Sequence, residues 1–311
     1  MRRFVTYTLL FALFIGCTLV AGEYIVRTLP NSYKYKHQWM LENCNEVEYL
    51  IMGSSHTYYG ILPAEFFPHS FNIANVSQNP EYDFLLLKKY LPLCKNLHTV
   101  ILPISYFTFF DNPFEEGSEW SFAINYKLYM AIDKHSNLSK YNFELSNRPV
   151  YSGKLLSFLR GKEMPMCDSL GFGVGYRVNK KAATWKYDAQ YIAQRHTAEN
   201  SDEFEGNMNN VRNVAQFCKE NNLRLILVTT PTAESYYTLL NKEQLKKTNY
   251  AIENVCKEYS LSYYNYLTDE RFTDDDFYDG DHLSDIGAKK FTAILKEELS
   301  KEQLTEEAKN D

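Results

Sequence analysis

Two short runs near opposite ends of the chain hold the side chains best suited to chemistry. The first, Gly53-Ser54-Ser55-His56-Thr57, follows the apolar run Val47 to Met52. Glycine permits a sharp turn there, and a serine at the opening of the next helix has backbone N–H groups at hand to hold an oxyanion. The second run, Asp279-Gly280-Asp281-His282, lies just before a helical pattern that starts near Ser284. An acid three residues ahead of a histidine can curl back to the imidazole, fix its tautomer and stabilise the imidazolium. Nucleophile, base and orienting acid are then Ser55, His282 and Asp279. The competing structural readings are a plain helix cap at Ser55 and a solvated or calcium-binding loop at Asp274, Asp275, Asp276, Asp279 and Asp281. That loop lacks the glycine and the terminal glutamate spacing of a calcium loop, so no metal is expected. His56 adjoins Ser55 too closely to serve easily as its base and is read as a residue satisfying local hydrogen bonds.

Such residues need a scaffold that brings both ends of the chain together. In an open parallel sheet, ligands gather outside the carboxyl ends of the strands, which is where Ser55 falls. Apolar runs predict strands at 47–52, 70–74, 99–104, 223–228 and 263–266, with helical spacing at 81–90, 203–221, 242–259 and 284–299. Strands alternating with helices predict an α/β fold, a central parallel sheet covered on both faces. Regularity is lost between 106 and 201, which reads as an inserted cap subdomain. There Gly171-Phe172-Gly173-Val174-Gly175 has neither a preceding strand nor a following Lys-Ser or Lys-Thr, so it reads as a flexible loop and not a nucleotide site. Trp120, Trp185 and the neighbouring tyrosines suit either a packed core or the wall of a sugar cleft. The expected organisation is a transmembrane signal anchor at 1–23, a juxtamembrane connector at 24–46, a sheet domain at 47–105 and 202–300 split by the insertion at 106–201, and a fraying polar tail at 301–311.

Composition narrows the function classes. Among 311 residues, 39 acidic against 33 basic side chains leave a net charge of −6, and no basic stripe is present, which argues against nucleic acid as a partner. Arg2 and Arg3 precede an uncharged apolar stretch from Phe4 to Gly22, long enough to cross a bilayer and oriented by the positive-inside rule with the rest of the chain outside the cytoplasm. Two alternatives remain: cleavage after Val20-Ala21-Gly22, and lipidation of Cys17 at a degenerate lipobox, Phe14-Ile15-Gly16-Cys17. Span length favours the anchor. The other five cysteines, Cys44, Cys94, Cys167, Cys218 and Cys256, show no C-x-x-C spacing, so zinc and dithiol motifs are absent. One disulfide such as Cys44 to Cys94 and buried free thiols are both compatible with that set.

With these residues in order, the chain resembles the SGNH or GDSL hydrolase superfamily. Its first block, Gly-Asp-Ser, is matched by Gly53-Ser54-Ser55 and implies Ser55, not Ser54, as nucleophile; its last, Asp-x-x-His, is matched by Asp279 and His282. The second block, Asn-x-Gly-x-x-Gly, is echoed by Asn72-Ile73-Ala74-Asn75-Val76-Ser77, which implies oxyanion-hole N–H groups from Ser55 and Ser77. The resemblance implies a flavodoxin-like three-layer sandwich and no cofactor. Departures are Ser54 for the first-block Asp, both second-block glycines, and Pro103-Ile104-Ser105-Tyr106-Phe107 where Gly-x-Asn-Asp would follow the third strand. The side-chain oxyanion donor is therefore unassigned, with Asn75, Gln78 and Asn79 suitable by chemistry but also apt as turn or cap residues. Together with the anchor, the pattern is most similar to membrane-tethered SGNH-like proteins such as those of alginate O-acetylation and of teichoic acid D-alanyl transfer. That likeness implies a serine esterase or O-acyltransferase acting on an acylated envelope polysaccharide or acyl donor, beside a multispanning membrane acyltransferase. The alternative is a catalytically inactive SGNH-like protein that binds glycan or a partner.

Overall fold

The computed structural model describes residues 1–114, 117, 119–132, 134, 140–161 and 167–310. In chain order the elements are α1 (Arg2–Thr28), α2 (Ser32–Asn43), β1 (Tyr49–Ile51), α3 (Ser55–Tyr58), β2 (Ser70–Asn72), α4 (Pro80–Tyr90), β3 (Thr99–Pro103), α5 (Phe122–Tyr129), α6 (Arg148–Leu159), α7 (Trp185–Arg195), α8 (Phe204–Glu220), β4 (Arg224–Thr229), α9 (Glu234–Tyr237), α10 (Lys242–Tyr259), β5 (Ser262–Asn265) and α11 (Asp285–Asn310). The described residues form two compact units, one drawn from Met1–His37 and Pro113–Met166, the other from Gln38–Asn112 and Cys167–Asp311.

In the first unit, α1 carries no charge between Arg3 and Glu23, and its apolar side chains are exposed over that stretch, with Val26 buried in the turns beyond it. At 27 residues it is long and apolar enough to cross a membrane. Helix stops at Leu29, extended ahead of Pro30, as the residue before a proline usually is. The last turns of α1 are tied down by charge. Glu23 accepts the backbone N–H groups of Glu144 and Leu145 at 2.9 and 3.0 Å and pairs with Arg27 at 2.7 Å, while Arg27 donates to the Asn142 carbonyl at 2.7 Å.

The second unit is built on a five-stranded parallel sheet of order β2-β1-β3-β4-β5, parallel as the strand–helix alternation predicts and flavodoxin-like as the resemblance implies. Partners Leu50, Val100 and Leu225 lie in one row and Ile51, Ile101 and Ile226 in the next, so the two-residue alternation sends the rows to opposite faces. Tyr49, Ile51, Ile101, Ile226 and Val228 pack with Phe291, Leu295 and Leu299 of α11. On the other side α8 packs on β4 and is flanked by α4 and α10, burying Val211, Val214, Ala251, Ile252 and Leu86. Cys44 and Cys94 form a disulfide.

Three expectations differ from what is observed. The stretch 106–201 holds helices, and its parts separate: the described residues of 113–161 lie in the first unit, while α7 belongs with the sheet unit because Ala189 and Ala193 pack on Tyr236, Leu240 and Leu267. The tail does not fray at 301; α11 runs to Asn310, and Glu302 holds it by accepting from Arg224 and Ser262 at 2.6 Å each and from Tyr264. The Gly171 to Gly175 run is ordered against the sheet unit: the Gly173 N–H donates to the Tyr58 carbonyl at 2.8 Å, and a side chain there would meet the Tyr59 ring at 2.5 Å.

Phe291 is fully buried between the sheet and the loop side chain Phe272. Phe291→Ala is expected to lower stability by about 3–5 kcal/mol, read as a lower urea midpoint with an unchanged slope.

Candidate active site

The sheet's strand order reverses between β1 and β3, so the chain leaves their carboxyl ends in opposite directions and opens a crevice there. Gly53, leaving β1, has φ +100°, and a Cβ would fall 2.0 Å from the Pro103 ring at the end of β3. Only glycine fits that turn. Ser54 then takes an extended conformation as the cap of α3, with the Thr57 hydroxyl donating to the Met52 carbonyl at 2.6 Å. Ser55, at the first position of α3, is only partly buried and faces the loop ahead of α11.

That loop supplies a histidine and two carboxylates. His282 Nε2 lies 2.7 Å from Ser55 Oγ, and His282 Nδ1 lies 2.9 and 3.1 Å from the two oxygens of Asp279. Asp279 Oδ1 also accepts the backbone N–H groups of Asp281 and His282, at 3.1 and 2.9 Å, which pins the carboxylate in a tight turn under the ring. An ionised carboxylate only accepts, so Nδ1 carries its hydrogen and Nε2 of the neutral ring is free to accept from the serine. The structure thus brings Ser55, His282 and Asp279 into one hydrogen-bonded line, although Ser55 and His282 are separated by 227 positions in sequence.

A second carboxylate stands behind the first. Asp281 is fully buried; its Oδ2 lies 3.0 Å from His56 Nε2 and 3.7 Å from His196 Nδ1. Its Oδ1 is 3.1 Å from His282 Nδ1, but that N–H points at Asp279, and Oδ1 makes no hydrogen bond. His56 Nδ1 in turn meets Ser105 Oγ at 2.7 Å, and His196 Nδ1 meets the Tyr236 hydroxyl at 2.8 Å. His56 therefore does more than satisfy local groups: it bridges the ends of β1 and β3 to the carboxyl-terminal loop. Burial by itself would raise the Asp281 carboxyl, yet the charge of His282 and the hydrogen bond from His56 hold it well below the usual carboxylate range. Burial likewise opposes a charge on His282, but Asp279 and Asp281 outweigh it and push that pKa up to about 10. His196, deeply buried and farther from the carboxylate, falls to about 3 and stays neutral.

Aromatic rings wall the site. Tyr176 stacks between Tyr59 and Tyr278 at centroid distances of 3.7 and 4.1 Å and turns an edge to His282 at 5.1 Å. Burial, with Tyr278 and Asp279 nearby, pushes the Tyr59 hydroxyl up to about 12, so Tyr59 carries no charge near neutrality. His56, Asp281 and His282 offer metal-ligand atoms within 4.8 Å of one another, but His56 Nε2 is engaged by Asp281 and His282 Nε2 by Ser55.

No protein-family model matches the chain, and no curated protein matches it. Among solved structures it is similar to a GDSL-like lipase from Bacteroides thetaiotaomicron, at 13% identity and a TM-score of 0.43, over 87% of this chain and 99% of that one. It is also similar to a candidate platelet activating factor from Streptococcus pneumonia (13% identity, TM-score 0.43, 93% and 98% covered). A third, a candidate acylhydrolase from Bacteroides fragilis, shows 10% identity and a TM-score of 0.39, with 88% and 99% covered. At Ser55 the chemistry rests on the site's own contacts.

The loop after β2 lies beside the Gly53 turn, the Asn75 N–H donating to the Gly53 carbonyl at 3.1 Å, and Ser77 adopts φ +57° within it. Of the three amides suited to an oxyanion, Asn79 caps α4 by accepting from the Tyr82 N–H, and Asn75 directs its amide to the Ile73 carbonyl and Gln78 Oε1. Ser105, Asp281 and Asp83, which accepts the Gly53 N–H at 2.8 Å, are residues that motif spacing did not single out for a role. The doubled acid of Asp279-Gly280-Asp281-His282 was the one signal pointing to Asp281.

With its pKa raised, His282 contributes stability that is fully present below the unfolded histidine value near 6.5 and is lost as pH rises through about 10. Its ring resonances should titrate near pH 10 by NMR, and Asp281→Asn should bring that midpoint down by about one unit or more.

Proposed function

We propose that the chain is a serine-dependent esterase or O-acyltransferase working through an acyl-serine intermediate. The observation that carries this reading is the unbroken hydrogen-bonded line from Ser55 Oγ through His282 to Asp279. In the neutral form, His282 Nε2 removes the Ser55 proton as Oγ attacks an acyl carbonyl; Asp279 stabilises the imidazolium that forms, and His282 returns the proton to the leaving alkoxide. Backbone N–H groups of Ser55 and Ser77 hold the oxyanion. Water or a sugar hydroxyl then accepts the acyl group by the same steps in reverse, which is all that separates hydrolysis from transfer. The 2.7 Å contact at Ser55 favours turnover over a binding-only role.

In this reading α1 is a single-pass anchor, with Arg2 and Arg3 in the cytoplasm and the catalytic unit outside. The Cys44–Cys94 disulfide supports an oxidising compartment. Resemblance to envelope-modifying SGNH-like proteins supplies the substrate class, acyl groups on a cell-envelope polysaccharide, and the partner, a multispanning acyltransferase in the same membrane.

A fluorophosphonate probe should label the full chain at Ser55, and p-nitrophenyl acetate should be turned over; Ser55→Ala removes both, and equal activity in that variant would reject the assignment. Asp279→Asn should cost roughly 10³–10⁴-fold in kcat with little change in KM. Because the base must be neutral, kcat/KM should rise with pH toward the His282 pKa of about 10.

A further inference from the structure

The turn after β1 and the loop after β2 are closed into one ring of buried hydrogen bonds. The Gly53 N–H donates to Asp83 Oδ1 at 2.8 Å, and Gln78 Nε2 donates to the same oxygen at 2.6 Å. Asn75 Nδ2 donates to Gln78 Oε1 at 3.1 Å, and the Asn75 N–H returns to the Gly53 carbonyl at 3.1 Å. Asn75, Gln78 and Asp83 are each at most 3% exposed. The ring's two sides carry Ser55, two residues beyond Gly53, and Ser77, two residues beyond Asn75 and next to Gln78.

This arrangement is costly to keep. A buried carboxyl loses its hydration, and here burial pushes the Asp83 pKa up to about 7 despite the two hydrogen bonds it accepts. Asn75 Oδ1 is buried with no hydrogen-bond partner. An apolar side chain at 83 would pack without the first penalty, so selection for stability alone does not explain an acid there. Both donors converge on one oxygen of Asp83, so its role is that of a geometric acceptor that holds two backbones at a fixed separation.

We propose that Asp83 is a positioning residue for the reaction at Ser55, closing the Gly53–Asp83–Gln78–Asn75 ring so that the Ser55 and Ser77 N–H groups converge on one oxyanion. The inference rests on Ser55 being the nucleophile. Its energetic effect falls on the tetrahedral species and not on bound substrate, because the donors must match a position the oxygen reaches only as the carbonyl carbon becomes tetrahedral. Asparagine retains an acceptor oxygen at the same place; alanine removes it.

The test uses the full chain in detergent, with acylation rates from the p-nitrophenyl acetate burst and hydrogen–deuterium exchange of the peptide containing Gly53. Asp83→Ala should lower the acylation rate about 10- to 100-fold with KM within about twofold, speed exchange at Gly53, and leave the His282 titration in place. Asp83→Asn should restore most of the rate, and Gln78→Leu, which opens the ring at another link, should lower it as Asp83→Ala does. Unchanged exchange at Gly53 in Asp83→Ala would overturn the ring itself. Faster exchange with an unchanged acylation rate would overturn the positioning role, as would a rate loss fully accounted for by a smaller folded fraction. Retained turnover in Ser55→Ala would instead overturn the reading of the nucleophile, while the exchange result still decides the ring.

Discussion

Everything in the site hangs on the room left between the end of β1 and the end of β3. Pro103 closes that space so tightly that a Cβ on Gly53 would sit 2.0 Å from its ring, and the backbone must turn through φ +100° to pass. The turn exposes Ser55 at the head of α3, sets the Gly53 N–H toward Asp83 and its carbonyl toward Asn75, and leaves His56 pointing at the end of β3. A wider approach of the two strands would break all of these contacts together, since each is made by a residue within three positions of Gly53.

The second organising feature is how buried charge is matched. Asp281 is almost wholly shielded from water, where an unpaired carboxylate would cost several kcal/mol. Two imidazoles adjoin it, from His56 and His282, and Asp279 adds a second negative charge on the far side of His282. Two carboxylates around one ring favour the imidazolium, the species that forms when a serine proton is taken up in the proposed reaction. In the proposed reaction the same arrangement holds the resting imidazole almost wholly in its protonated form at neutral pH. In that reaction, raised proton affinity strengthens transition-state stabilisation at the expense of the fraction of free base.

The tyrosines and phenylalanines around the site fit that electrostatic scheme. Tyr59, Tyr176 and Tyr278 stack beside His282 while Phe107 lies between His56 and His196, so low-polarity rings border the charged cluster on two sides. Excluding water there keeps the Asp279 and Asp281 fields strong at the imidazole. The glycine run that looked like a free loop is part of this wall, since only a residue without a side chain lets the backbone at 173 lie against Tyr59.

The sequence alone determined the alternation that builds the sheet, because fully buried parallel strands must be apolar runs and their covering helices must show helical spacing. It also singled out Ser55, Asp279 and His282, the three side chains found in one hydrogen-bonded line, from local relations: a serine after a glycine turn, and an acid three residues from its histidine. Tertiary structure decided what depended on residues far apart in the chain. Glu302 was legible only as tail polarity until Arg224, Ser262 and Tyr264 were seen to anchor it. The break of 106–201 between two units followed from where Ala189 and Ala193 found packing partners. Asp281, His56, Ser105 and Asp83 acquire meaning only through partners 30 to 225 positions away. No spacing rule encodes such pairings, because the sheet's strand order, and not the order of residues, sets which side chains meet at the crevice.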